Sequence, residues 1–295
     1  HVGKKDVMAV SLYPKEGNAY LVGRVAEGVH DCASSYSDHT FEYHYHKAIS
    51  VHAKNQGMEY PMICWNYGRP NADGTYTDRT KFGMISVIIH EVGHNFFPMI
   101  VNSDERQWGW MDEGLNSFVE YMSEQEFGER YPEAIAPLDK YPSRRGEPTK
   151  ITGYMKGSQD FIAPIMSNPE NIYQLGNNAY GKPATALNIL RETVMGRELF
   201  DHAFATYSKR WMFKHPTPED FFRTMEDASG VDLDWFWRGW FYTTDYVDIA
   251  VDDVKSYFIT DQPTEAGKKI LKRYGIEDPS QIPAIYVVEE SSDEF

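Results

Sequence analysis

The stretch "IIHEVGHNFFP", from Ile88 to Pro98, constrains this chain more than any other. It closes a run from about Thr80 to Phe97 that is apolar nearly all round, the pattern of a buried helix, with Pro98 as its stop. Within that run stand His90, Glu91 and His94. Residues four apart on a helix share a face, so both imidazoles can reach one ion. Zinc takes imidazole nitrogen at ~2.0–2.1 Å, and a catalytic site adds a third protein ligand and keeps one position for water. Glu91, beside the first histidine, can address that water as general base. The rival reading is two core histidines at a coincidental spacing, so the decision rests on whether a third ligand exists.

One is available. In "WGWMDEGLNSFVEYM", Glu113 follows His94 after 18 intervening residues, at the start of a second strongly patterned helix. Asp112 is placed to cap that helix, and Leu115, Phe118 and Met122 form its apolar stripe. Glu113, Ser117 and Glu120 share a face, so Glu120 can accept a hydrogen bond from a ligating histidine. Taken alone, Glu113 reads as an acid favoured by the helix dipole and Glu120 as a solvated-face residue.

The surrounding pattern is a strand-containing front half and a helical back half. "DVMAVSLYP", "AISVHAK" and "PMICWNYG" read as strands, the segment from Ala19 to about His39 as broadly helical, and "GRPNADGTYTDRT" as a loop. After the Pro-rich link "YPEAIAPLDKYPSRRGEP", the chain from about Met155 to Tyr242 reads as successive helices. The cluster from Trp235 to Phe241 reads as helical core. Beyond Val251 the composition turns polar, as in a linker or an incomplete C-terminal module.

Composition excludes several classes. A net charge of −15 over 295 residues argues against a nucleic-acid partner. The short basic stretches "PSRRGEP" and "KKILKR" read as solvated surface. No stretch reaches the ~18 apolar residues of a transmembrane segment. "HVGKKDVMAVSLYPKEG" lacks the features of a signal peptide. The expectation is a soluble protein whose compartment, extracytoplasmic or not, is left open. Cys32 and Cys64 are too few for a disulfide framework and read as small buried hydrophobes.

"HEVGH" and "WMDEGLNSFVEY" together resemble the gluzincin metallopeptidases of the aminopeptidase N and leukotriene hydrolase family. "QGMEYP", from Gln56, resembles that family's exopeptidase motif Gly-x-Met-Glu-Asn, with Gln56 and Tyr60 replacing its first and last residues. "NAYGKPATAL", whose Tyr180 lies 86 residues past His94, resembles the segment carrying the catalytic tyrosine; Tyr173 is the weaker candidate. "TPEDFFRTMEDASGVDLDWFWRGWFYTTDY" resembles the end of the catalytic domain.

The resemblance implies an α/β (α+β) thermolysin-like catalytic domain over residues 1–249. Its sheet-containing front part would span about 1–110 and its helical rear part about 111–249, with 250–295 outside it. It implies one zinc ion per chain on His90, His94 and Glu113, with Glu91 as general base and Glu120 orienting a ligand. Tyr180 would stabilise the oxyanion. Gly57, Met58 and Glu59 would bind the substrate, Glu59 through the free α-amine of a peptide. The implied reaction is hydrolysis of an N-terminal peptide bond. The same zinc site would also serve an endopeptidase or an epoxide-hydrolysing relative, and a catalytically inactive scaffold would share the fold. The resemblance further implies a longer parent chain with a β-rich domain ahead of this one, without which a zinc-loaded segment is expected to be a poor peptidase.

Overall fold

The computed structural model describes residues 6–15, 18–54, 57–133, 145–247, 249–278 and 286–289. Two compact units divide the chain, His1–Asp245 and Tyr246–Phe295.

In the first unit, β1 (Met8–Leu12), β2 (Lys47–His52), β3 (Gly57–Tyr60) and β4 (Ile63–Asn66) form one sheet in the order β1-β2-β4-β3. β1 pairs parallel to β2, and β2 parallel to β4, while β3 runs antiparallel to β4 at the edge. Burial alternates along β2 and β4, with Ala48, Ser50, Cys64 and Asn66 facing inward. Helix α1 (Asn18–His39) buries Val25, Val29, Cys32 and Tyr36, a spacing of three to four residues that makes one face. Both cysteines are free and buried, as expected.

Helix α2 (Asp78–Gly93) starts where the Thr77 hydroxyl accepts from the Thr80 amide at 3.1 Å. Its C-terminal half is sealed, with every residue from Ile88 to Gly93 buried. The expected helix to Phe97 stops earlier. Phe97 is extended (φ −131°, ψ 116°), because the proline ring at position 98 disfavours helical backbone in the residue before it.

The chain next enters a wide helical turn, Trp110–Gly114, that runs directly into α3 (Leu115–Arg130). Gly109 and Gly114 are already helical, so Asp112 lies inside the turn and caps nothing. Trp110 fixes the turn from behind, stacked on Phe222 at 5.8 Å and edge-on to Phe241 at 4.8 Å. That anchor directs Asp112 and Glu113 towards α2. The two helices are also joined directly, where Asn116 Nδ2 donates to the His90 carbonyl at 2.9 Å, and α1 holds Asn116 in place through Tyr36 Oη, which donates to Asn116 Oδ1 at 2.8 Å. Only glycine fits at Gly93, since an added Cβ would overlap the Tyr36 hydroxyl and the Asn116 amide.

The run of successive helices expected from about Met155 begins later. From Lys156 to Gln174 the chain holds only short 3-10 turns, because Gly157, Pro164, Asn168 and Pro169 interrupt any longer helix. The short α4 (Thr152–Met155) precedes this stretch. A wide turn at Gly176–Gly181 leads into α5 (Lys182–Ile189), followed by α6 (Arg197–Arg210), α7 (Pro218–Ser229) and α8 (Asp234–Trp237). Phe236, Trp237 and Phe241 are buried in the core, as read from the sequence, while Trp235 is exposed.

The second unit contains β5 (Tyr257–Thr260) paired antiparallel with β6 (Tyr286–Glu289), and helix α9 (Glu265–Arg273). No helix of the described residues is long and apolar enough to cross a membrane.

Candidate metal centre and cleft

The last turn of α2 and the wide turn before α3 bring His90, His94 and Glu113 together. Glu113 Oε2 lies 3.0 Å from His90 Nε2 and 3.3 Å from His94 Nε2, and the two Nε2 atoms are 3.1 Å apart. Tetrahedral ligands at ~2.05 Å from a zinc ion would stand about 3.3 Å from one another, so this triangle fits the ion.

The other ring nitrogens are committed elsewhere, which leaves both Nε2 atoms to face the ion. His90 Nδ1 donates to Glu120 Oε2 at 2.8 Å. His94 Nδ1 lies 2.9 Å from the Phe97 carbonyl oxygen and 2.9 Å from Asp112 Oδ1. The early end of α2 is what turns that carbonyl back onto the ring. Such partners fix ring orientation and make the free nitrogen a better ligand.

The charges compensate one another. Burial alone would keep His90 neutral, yet Glu120 and Glu113 outweigh it and push its pKa up to about 9. Burial would likewise raise Glu113, but hydrogen bonds from His90 and His94 hold its carboxyl well below the ordinary range. Glu91 is different. Burial pushes it up to about 7 against the pull of both histidines, and its Oε2 has no hydrogen-bond partner among the described residues.

The cleft beside this centre has a volume of about 460 Å³. β3 forms one wall and brings in Gly57, Met58 and Glu59. A carboxylate oxygen of Glu59 lies within 4.8 Å of ligand atoms on His94 and Asp112. The hairpin is tied to the metal helix where Asn95 Oδ1 accepts from the Met62 amide at 2.7 Å. Opposite, the Tyr180 hydroxyl donates to Glu113 Oε1 at 2.5 Å, and its ring stacks on His90 with centroids 5.8 Å apart. Tyr173 is 83% exposed and packs on Phe161 instead, outside the cleft.

Two residues of this site escaped the sequence reading. Asp112 was expected as a cap, and only its adjacency to Glu113 hinted at more. Arg145, in the "PSRRGEP" stretch expected to be solvated surface, lies over the Tyr180 ring, with Cζ 4.3 Å from the centroid.

A mixed sheet joined to a helical part, with two histidines and a glutamate converging in the cleft, is the arrangement of a zinc metallopeptidase. The sequence places it more closely. The peptidase family M1 domain model matches residues 32–240, and the chain belongs to that family. It is 28% identical over 185 residues to "Probable aminopeptidase 2" of Sulfurisphaera tokodaii, a match covering 61% of this chain and 22% of that protein. It is 27% identical over 185 residues to aminopeptidase N of Escherichia coli, covering 61% of this chain and 20% of the relative. The match thus spans about a fifth of the length of these relatives. The fold is similar to the crystal structure of an M1 zinc metallopeptidase from Deinococcus radiodurans. The TM-score is 0.58 at 16% identity, over 84% of this chain and 51% of that one.

Proposed function

We propose that the protein is a zinc-dependent aminopeptidase holding one zinc ion per chain on His90, His94 and Glu113. The observation that carries this reading is the triangle of 3.0–3.3 Å between their ligand atoms, with Glu91 and Glu59 on the same cleft. A zinc ion held there supplies Lewis acidity towards the scissile carbonyl and acidifies the attacking water. Glu91 accepts the proton of that water and passes it to the leaving amine. Glu59, on an edge strand at a fixed distance from the metal centre, binds the α-ammonium of the substrate and so limits cleavage to the first peptide bond. The Tyr180 hydroxyl transfers its hydrogen bond from Glu113 to the oxygen that becomes negative in the tetrahedral intermediate. A preorganised donor of this kind is worth ~3–4 kcal/mol.

The test is metal analysis combined with a panel of aminoacyl-nitroanilides. Expected are one zinc per chain, lost in His94→Ala, and cleavage of unblocked substrates with refusal of N-acetylated ones. Zinc retained in His94→Ala would overturn the ligand set. Equal cleavage of blocked substrates would remove the amine anchor and favour an endopeptidase.

A further inference from the structure

Resting on the aminopeptidase reading, we propose that Arg145 is the positioning residue for Tyr180, holding the phenol ring through the hydroxyl's change of partner. The backbone at Arg145 is built to aim its side chain. Gly146 has φ +99°, and a Cβ there would lie 2.8 Å from Cγ of Tyr121, so the turn presses directly on α3. On the other side, Asn188 Nδ2 of α5 donates to the Gly146 carbonyl at 2.9 Å. Glu147 then accepts from the Thr149 amide at 3.0 Å and starts the next turn. The turn is thereby pinned between α3, which carries Glu120, and α5, which continues from Tyr180.

The guanidinium reaches two groups at once. Nη1 is 3.9 Å from Oε2 of Glu120, and Cζ stands over the Tyr180 ring. Nη1 also lies 3.4 Å from His90 Nδ1, but that nitrogen gives its proton to Glu120, so the guanidinium sits beside the imidazole without bonding to it. Glu120 is itself fixed, by His90 and by the Ser86 hydroxyl at 3.1 Å. The result is a cation tethered to the same carboxylate that orients a metal ligand, resting on the face of the residue across the cleft.

The geometry matters because of what Tyr180 must do. Its hydroxyl has to leave Glu113 for the developing oxyanion, and a hydrogen bond cannot hold the ring during its own exchange. A contact on the ring face persists through that change, since it does not involve the oxygen. Arg145 thus keeps the ring in place when the hydroxyl is between partners, and its effect belongs to the chemical step.

The experiment compares the whole zinc-loaded protein with Arg145→Ala, Arg145→Lys, Tyr180→Phe and the Arg145→Ala/Tyr180→Phe double variant. Arg145→Ala is expected to lower kcat roughly tenfold, the scale of a partly desolvated cation–π contact, with KM nearly unchanged. Zinc content and melting temperature should stay at wild-type values, and Arg145→Lys should recover part of the loss. In the Tyr180→Phe background, where no hydroxyl changes partner, Arg145→Ala should cost little more. Affinity for an aminoalkyl phosphinate, a tetrahedral mimic, should fall with kcat in Arg145→Ala, while affinity for the free amino-acid product should not.

An undiminished loss in the Tyr180→Phe background, or a rise in KM at constant kcat, would overturn the proposal. Absence of any aminoacyl turnover in the wild-type protein would instead count against the aminopeptidase reading. The phosphinate comparison between the single and double variants would still decide the role of Arg145.

Discussion

Gly57 lies directly against Glu91: a Cβ at position 57 would stand 2.6 Å from the glutamate's Oε1. The edge strand and the metal helix meet here with no space for a side chain between them. Gly57→Ala would therefore displace the carboxylate of the proposed base. Misplacing a reacting group by about 1 Å costs about a hundredfold in rate, so kcat should fall by that order. Zinc content should be normal. Steady-state kinetics beside metal analysis checks this, and unchanged kcat would mean that Glu91 yields without consequence. Glu91→Gln is the limiting case, expected to keep zinc and lose turnover.

Asp112 and Glu120 support the two imidazoles from behind. Asp112→Asn and Glu120→Gln should each weaken zinc binding by about 10–100-fold, the usual cost of removing such a partner. Competition with a chelator of known affinity reads this directly. Affinities equal to wild type would show that the Phe97 carbonyl and the packing of α2 orient the rings without help.

Lys182 is buried, and its Nζ has no hydrogen-bond partner among the described residues. Burial pulls its pKa down to about 8 from an ordinary 10.5. Between these values the unfolded chain holds more protons than the folded one, so stability rises with pH across that window. Below pH 8 the full penalty of the buried charge is present. Lys182→Met should therefore stabilise the protein at pH 7, on the order of 2 kcal/mol, with the gain shrinking as pH approaches 10.5. Thermal melts of both proteins at pH 7 and pH 10 measure the difference. A gain that does not shrink would point to packing instead of charge.

The spacing of His90, His94 and Glu113 was readable because it is local: one turn of one helix, then a fixed interval to the next. The cleft positions of Tyr180 and Glu59 could be expected only by resemblance, since neither spacing nor periodicity distinguishes one tyrosine from the nineteen others. Asp112 was misread because an acid before an apolar stripe usually caps. Its inward direction depends on Trp110 being held by Phe222 and Phe241, more than a hundred residues further along the chain. Arg145 was misread because a charged, glycine-containing stretch looks like solvent-facing loop. What places it is contact with α3 and α5, which no local pattern records. The same holds for the missing helix after Met155, where scattered prolines and glycines outweighed composition.

The Asn116 bond that joins α3 to α2, and the Tyr36 bond from α1 that holds Asn116 in place, involve neither Nε2 nor the carboxylate of Glu113. The two ligand-bearing segments are therefore fastened to each other by groups that need no ion. Little chain entropy remains to be lost when zinc enters, so its binding free energy is free to appear as affinity. Removing the metal with a chelator should leave the far-ultraviolet circular dichroism almost unchanged. Reloading should follow the arrival of the ion and not a refolding event, with a rate that rises linearly with zinc concentration.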